Sequence, residues 1–184
     1  MSKCGCGWEF SSDLMIKYHN EKWCKIEKDE DELFAMLVLE TMQAGLSWSC
    51  VINKEEAIRK TFKGLAPRKV LSMPREEIEA AYENKDIIRN KRKIDAIFSN
   101  AKAFINIEEE FGSFYNYIWK FTEGKVIDHK LESLDKMPAN NELSDLVSKD
   151  LKKRGFKFVG STIIYSYLQA IGVINDHLIR CSYR

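Results

Sequence analysis

The stretch that most constrains this chain is Leu33–Trp48, LFAMLVLETMQAGLSW. It opens on an unbroken apolar run, Leu33 to Leu39. As a helix, such a run is apolar on every side and belongs in an interior. Glu40 comes next, at a position the pattern still assigns to the interior. A buried carboxylate is costly unless it is paired or hydrogen-bonded. Glu40 is therefore either tied off by a structural partner or held in a cavity for a ligand. The stretch closes on Ala44-Gly45-Leu46-Ser47-Trp48, a glycine break with an exposed-looking leucine and a large aromatic.

At 184 residues the chain suits one domain, residues 1–184, or two small lobes sharing an interface. Its 45% hydrophobic content is enough for a real core. A net charge of +1 excludes a polybasic nucleic-acid coat but leaves room for a local basic patch. Met1-Ser2-Lys3-Cys4 leads into polar and aromatic residues without the apolar core of a signal peptide. Leu33–Leu39 is far too short to span a bilayer. A soluble, cytoplasmic monomer with no membrane partner is expected. The five cysteines are an odd number in a chain too large to need disulfide staples, which favours metal ligation or free thiols.

Along the chain, Ser11, Ser12 and Asp13 are N-cap types ahead of a short helix carrying Tyr18 and His19. Asp29, Glu30 and Asp31 load the first turn of the central helix with acid, as its dipole favours. An amphipathic segment covers 53–62, a helix opens at Pro74, and residues 86–95 form a basic connector. Apolar residues then recur with helical period from Ile94 to Ile105, and Gly112 ends that helix. Phe114–Phe121 reads as helix, 122–141 as mostly loop, and Ser144–Lys153 as helix. Val126-Ile127 is too short to count as a strand. The class is all-α, built from many short helices.

Three constellations carry chemistry. Near the C-terminus, Lys152-Lys153-Arg154-Gly155 ends one helix, and Ser161-Thr162-Ile163 opens the next after a tight turn. A helix N-terminus presents backbone N–H groups that suit a phosphate. Lys152, Lys153, Arg154 and Lys157 add attraction for a nucleic-acid backbone. An ordinary αα-hairpin with solvated charges describes the same residues equally well. Second, His177 and Cys181 lie four apart on one helical face, within reach of a single ion, and Cys6 (or Cys4) with His19 could complete a Cys2His2 set. Two ordinary histidines and buried cysteines are the plainer alternative. Third, Trp8, Tyr18, Trp23 and Trp48 flank these segments. They are either core, or an aromatic box around a flat cationic ligand with Glu40 at its rim.

Taken together, CGW (6–8), YHNEKW (18–23), LFAMLVLETMQAGLSW (33–48), IIRNKRKI (87–94), KKRGFKFVGSTIIYSYLQAIGVINDH (152–177) and Cys181 resemble the bacterial 3-methyladenine DNA glycosylase I family. The match runs end to end in the same order. The resemblance implies an all-α helix-hairpin-helix glycosylase fold, with the hairpin at about residues 145–172 and a zinc clip joining 4–19 to 177–181. It implies Cys6, His19, His177 and Cys181 as ligands of one structural zinc. Glu40 would contact the alkylated base, and Tyr18 and Trp48 would stack on it with Trp8 and Trp23 close by. Gly45 and Leu46 would plug the gap left by the flipped nucleotide, and Lys157, Val159, Gly160 and Ser161 would hold the DNA backbone. One departure stands out: Cys24 occupies a position where the family usually has glycine.

The activity implied is hydrolysis of the N-glycosidic bond of 3-methyladenine in double-stranded alkylated DNA, leaving an abasic site without strand cleavage. Zinc is the only cofactor implied. The methylated base is already cationic, so Glu40 serves recognition more than proton transfer. Asp176 suits a helix cap or an outer-shell role beside His177. The competing class is a non-catalytic hairpin DNA-binding module with a structural zinc.

Overall fold

The computed structural model describes residues 5–184. Among them the backbone forms ten α-helices, a few short 3-10 turns and one pair of two-residue strands. The helices are α1 (Asp13–Glu21), α2 (Glu30–Gln43), α3 (Trp48–Ile52), α4 (Glu55–Thr61), α5 (Pro67–Leu71), α6 (Arg75–Glu83), α7 (Lys91–Phe111), α8 (Phe114–Trp119), α9 (Glu142–Lys153) and α10 (Ser161–Ala170). The strands are β1 (Ile127–Asp128) and β2 (Ile174–Asn175). The expected all-α class holds. None of the described helices is long and apolar enough to cross a membrane.

α2 is the axis of the fold. Every residue from Leu33 to Met42 is buried. Its start is solvated, and Asp29 Oδ1 caps it by accepting from the Glu32 N–H at 3.0 Å. α7, α8, α10 and α3 pack around it. The Phe34 ring meets Phe104 of α7 edge-on at 5.2 Å, and Phe104 stacks on Phe114 of α8 at 4.2 Å. Glu30 accepts from the Phe114 and Tyr115 N–H groups at 2.7 and 3.0 Å, so the first turn of α2 caps α8. Tyr167 of α10 donates to the Leu33 carbonyl at 2.9 Å.

The C-terminal hairpin has the expected helix–turn–helix form. Asn141 and Ser144 close a reciprocal capping box at the start of α9, so the helix begins at Glu142, ahead of Ser144. Ser148 donates to the Val159 carbonyl at 2.6 Å, and Ser144 and Ser161 hydroxyls meet at 2.8 Å. These bonds fix the turn against α9.

Three expectations are corrected. α7 starts at Lys91, because Asn90 caps it by accepting from the Lys93 N–H at 3.2 Å; half of the expected 86–95 connector is therefore helix. Residues 127–128 do pair, in parallel, with 174–175, bonding the 122–141 loop to the segment after α10. His177 and Cys181 do not share a helical face, since α10 ends at Ala170 and the chain beyond β2 runs in turns.

Gly172 is the tightest joint in this C-terminal segment. It sits at φ +77, and a Cβ there would lie 2.4 Å from the Lys25 carbonyl carbon and 2.5 Å from the Ile26 nitrogen. Backbone cannot rotate out of the way as a side chain can. Gly172→Ala should destabilise the fold by roughly 2–4 kcal/mol, combining left-handed strain with overpacking. Urea midpoints measure this, and an unshifted midpoint contradicts the packing described.

Candidate active site and metal cluster

A cavity of 380 Å³ opens beside the C-terminal end of α2, and Trp8, Tyr18, Trp23, Glu40 and Trp48 all line it. Each comes from a different place: the 3-10 turn at Trp8–Ser11, α1, the turn after α1, α2, and the first position of α3. Ser47 caps α3 by accepting from the Cys50 N–H at 3.2 Å, which seats the indole of Trp48. The rest of the wall is Met15, Gln43, Ser166, Gln169 and the segment 134–139. Sequence reasoning missed these. Ser166 and Gln169 lie on the cavity side of an otherwise apolar helix, a faint signal. The loop residues Leu134, Met137, Pro138 and Ala139 carried none.

Glu40 lines this cavity without a hydrogen-bond partner among the described residues. It is 2% exposed, and the unmatched oxygen is Oε2. No structural partner ties it off. Burial pushes its carboxyl up to about 8. Burial, and then the nearby Glu40, also push the Tyr18 phenol up. Trp48 Nε1 is likewise buried without a partner. Two residues of the cavity wall, Glu40 and Trp48, thus each carry a buried polar atom without a partner among the described residues, a cost that a polar ligand able to reach them would relieve.

The Tyr18 and Trp48 rings lie 4.9 Å apart at 49°. A base sandwiched between two parallel faces needs roughly 7 Å, twice a van der Waals contact. The two rings therefore form a continuous surface in this conformation rather than opposed walls. Trp8 and Trp23 continue it, edge to face at 5.0 Å.

At the end of α2, Gly45 adopts φ +77 and Leu46 is 42% exposed. Lys93 of α7 donates from Nζ to the carbonyls of Met42 and Ala44 at 2.8 and 2.7 Å. These are orphan acceptors at a helix C-terminus, and a cation suits them. In the hairpin turn, Lys157 is exposed, Gly160 and Ser161 are half-buried, and the Val159 side chain is buried. Only backbone groups of Val159 could face a ligand. Arg154 does not join the basic patch: it is bound to Asp150 at 2.8 Å and Glu110 at 2.6 Å.

Cys6, His19, His177 and Cys181 converge and are all buried, with ligand atoms within 4.8 Å of one another. Cys6 Sγ lies 3.5 Å from His177 Nδ1, Cys181 Sγ 3.4 Å from His177 Nδ1, and Cys181 Sγ 3.7 Å from His19 Nε2. Tetrahedral ligation with ordinary metal–sulfur and metal–nitrogen lengths separates an S and an N by roughly 3.6 Å. Outer contacts orient both rings. His19 Nδ1 meets Asn20 Oδ1 at 2.8 Å, and His177 Nε2 meets the Trp23 carbonyl at 3.2 Å. Both outer partners are acceptors, so each ring turns its free lone pair inward. Burial pushes the Cys6 thiol up to about 12, a cost that a bound cation would reverse. The four side chains could hold one metal ion. Cys4, the alternative ligand, lies outside the described residues.

Asp176 is fully buried and accepts from Tyr165 at 2.5 Å and Gln169 at 2.7 Å, with His129 Nδ1 at 2.6 Å. So engaged, it is a structural hub beside the cavity wall and not a cavity residue. Cys24 adopts φ +59, which explains why glycine suits that position.

The Glu40 environment has a measurable consequence. In the unfolded chain its carboxyl ionises near 4.5, and in the fold near 8. Between those values unfolding releases a proton. Glu40's contribution to stability is therefore full below pH 4.5, falls as pH rises through about 8, and is level above. Glu40→Gln cannot titrate, so its stability advantage should widen by up to about 1.4 kcal/mol per pH unit across that window. Urea midpoints of both proteins measure it; parallel pH profiles contradict the buried, unmatched carboxyl.

Known proteins carry the same arrangement of chain. The family model described as methyladenine glycosylase matches residues 8–184. DNA-3-methyladenine glycosylase 1 of Escherichia coli K12 is 42% identical over 176 residues, 96% of this chain and 94% of that protein. The corresponding Haemophilus influenzae enzyme is 39% identical, over 96% of this chain and 95% of its own. A crystal structure of 3-methyladenine DNA glycosylase I superposes with a TM-score of 0.92 at 42% identity, covering 97% of this chain and 98% of the other. A second, of a tyrosine variant in complex with 3-methyladenine, gives 0.93 at 31% identity, covering 97% and 96%. By a match that takes in every element lining the cavity, the chain belongs to the methyladenine glycosylase family.

Proposed function

We propose that this protein excises 3-methyladenine from alkylated double-stranded DNA as a monofunctional glycosylase, acting as a cytoplasmic monomer through one domain that spans the chain. The observation that carries the reading is the buried Glu40 carboxyl without a partner, set in a cavity lined by Trp8, Tyr18, Trp23 and Trp48. A relative of 31% identity has been crystallised with 3-methyladenine, which supports the same ligand here.

The chemistry follows from charge. A base methylated at N3 is cationic while attached to the sugar, so its glycosidic bond is weakened and the leaving group needs no proton. The base is flipped out of the duplex into the cavity, at least cost where it is damaged. Glu40 is protonated in the free site at neutral pH, because burial holds its ionisation near 8. A cationic base compensates the ionised form, and the proton leaves to solvent. A neutral adenine offers no such compensation, so the carboxylate discriminates by charge, and aromatic faces add cation–π attraction. The bond then breaks with its electron pair going to the base, which departs as neutral 3-methyladenine. Water adds to the sugar carbon, loses a proton, and leaves an abasic site.

Gly45 and Leu46 enter the space vacated by the flipped nucleotide. Lys157, the backbone of Val159 and Gly160, and Ser161 at the head of α10 hold the phosphate backbone, which makes the α9–α10 hairpin a helix-hairpin-helix element. Cys6, His19, His177 and Cys181 hold one zinc. Four protein ligands leave no open position, so the ion is structural. It clips the segment before α1 to the turns after β2.

Two experiments test this reading. Purified protein should release 3-methyladenine from methylated duplex DNA above a heat control, and Trp48→Ala should lose at least about tenfold in rate while still binding DNA. Binding without base release would leave only a DNA-binding module. For the metal, elemental analysis should give about one zinc per chain. Cys6→Ser/Cys181→Ser should lose the ion and melt earlier; a full ion in that variant contradicts the ligand set.

A further inference from the structure

The helix that supports the cavity also reaches both segments assigned to DNA. Two polar side chains of α7 fall on its apolar stripe, among Ile94, Ile97, Ala101 and Phe104. They are Lys93, 6% exposed, and Asn100, fully buried. Lys93 Nζ binds the Met42 and Ala44 carbonyls, directly before Gly45-Leu46. Asn100 binds both polar groups of the Lys157 backbone: its Oδ1 accepts from Lys157 N at 2.8 Å, and its Nδ2 donates to Lys157 O at 3.1 Å. The two lie about two helical turns apart on the same side of a rigid rod.

Both are expensive in energetic terms. A methionine at 93 and a leucine at 100 would bury apolar surface without desolvating a cation or an amide. What the polar residues gain is directional. Lys93 adds a side-chain tie to the backbone just before Gly45, and Asn100 adds one to the turn that Ser144 and Ser148 also hold. Gly45 would meet nothing within 4 Å of an added Cβ, and the same holds for Gly160. From just before Lys93 to just before Asn100, α7 contributes Arg92, Asp95, Ala96 and Ser99, which with Lys157 and Phe158 line an open cleft of 640 Å³. The rod thus lies under the surface that joins plug to turn.

We propose that Lys93 and Asn100 are positioning residues that make α7 a ruler: they hold the Gly45-Leu46 plug and the Lys157–Ser161 turn at the separation that paired DNA requires for base extrusion. The inference rests on the DNA roles given to those two segments. It places the function of Lys93 and Asn100 in opening the duplex, not in binding the base. Neither residue lines the cavity.

The test uses Lys93→Met and Asn100→Ala in the full chain, with Leu46→Ala beside them. Three quantities are measured: affinity for free 3-methyladenine by tryptophan fluorescence, and single-turnover base release from methylated duplexes whose target adenines are paired or mispaired. Mispaired bases are cheaper to flip. Lys93→Met should slow release from paired sites about tenfold, or about 1.4 kcal/mol, and release from mispaired sites much less. Its free-base affinity should stay within about twofold, since the cavity is untouched. Asn100→Ala should show the same pattern. Parent rates in both variants on paired sites overturn the proposal. So do losses of equal size on paired sites, mispaired sites and free base, which would mean general loosening of the fold. Leu46→Ala reports separately on the plug: if it alone releases base at the parent rate, the plug role fails, whatever Lys93→Met does.

Discussion

One buried carboxyl without a partner sets the terms for this molecule. Glu40 and Glu30 sit on the same helix, and their fates differ. Glu30 satisfies its oxygens on two N–H groups of α8, at the solvated end of α2. Glu40, at the buried end, has an oxygen that nothing in the described fold satisfies. Leaving a carboxyl in that state costs stability wherever it must ionise. The rest of α2 offsets the cost. Leu33–Met42 are all buried, and each large apolar side chain buried contributes about 1.5–3 kcal/mol. The apolar run is thus what allows a mismatched acid to persist at a cavity, and the mismatch is what a cationic base would relieve.

The Cys6–His19–His177–Cys181 cluster packs against the same wall. Trp23 lines the cavity, and its carbonyl meets His177 Nε2. The His19 ring stacks on Trp23 at 5.7 Å, and Trp8 meets His19 edge-on at 5.3 Å. Two of the aromatic residues around the cavity therefore rest directly on the two histidines of the Cys2His2 set. A metal ion held there would join Cys6 and His19 of α1 to the turns after β2 and keep these indoles in register with Glu40. A structural ion would act on the chemistry through this packing alone.

Much of this was legible from the residues. The run Leu33–Leu39 required a buried helix, and Glu40 within it required an explanation. The all-α class followed from caps and helical periods. Convergence of Cys6, His19, His177 and Cys181 rested on the family resemblance, and the helical spacing offered for His177 and Cys181 was the wrong reason: they meet through turns beyond β2. Reading 86–95 as a connector hid Lys93, although it lies on the stripe that Ile94 and Ile97 announce. Arg154 looked like a free cation because its partners, Asp150 and Glu110, sit on α9 itself and on the far end of α7. The opposite wall of the cavity, 134–139, could not be read at all. Its residues have no periodicity, and only tertiary folding brings them to Glu40.

On the proposed reading, Glu40 rests protonated until a cationic base enters the cavity. A titration of the Glu40 side-chain carboxyl by 13C NMR addresses it most directly, first in the free protein and then with a dimethylated adenine carrying a fixed positive charge. The account predicts a midpoint near 8 in the free protein, lowered by the cationic base and unmoved by neutral adenine. A midpoint in the ordinary carboxylate range, or one that the cation leaves in place, would contradict it.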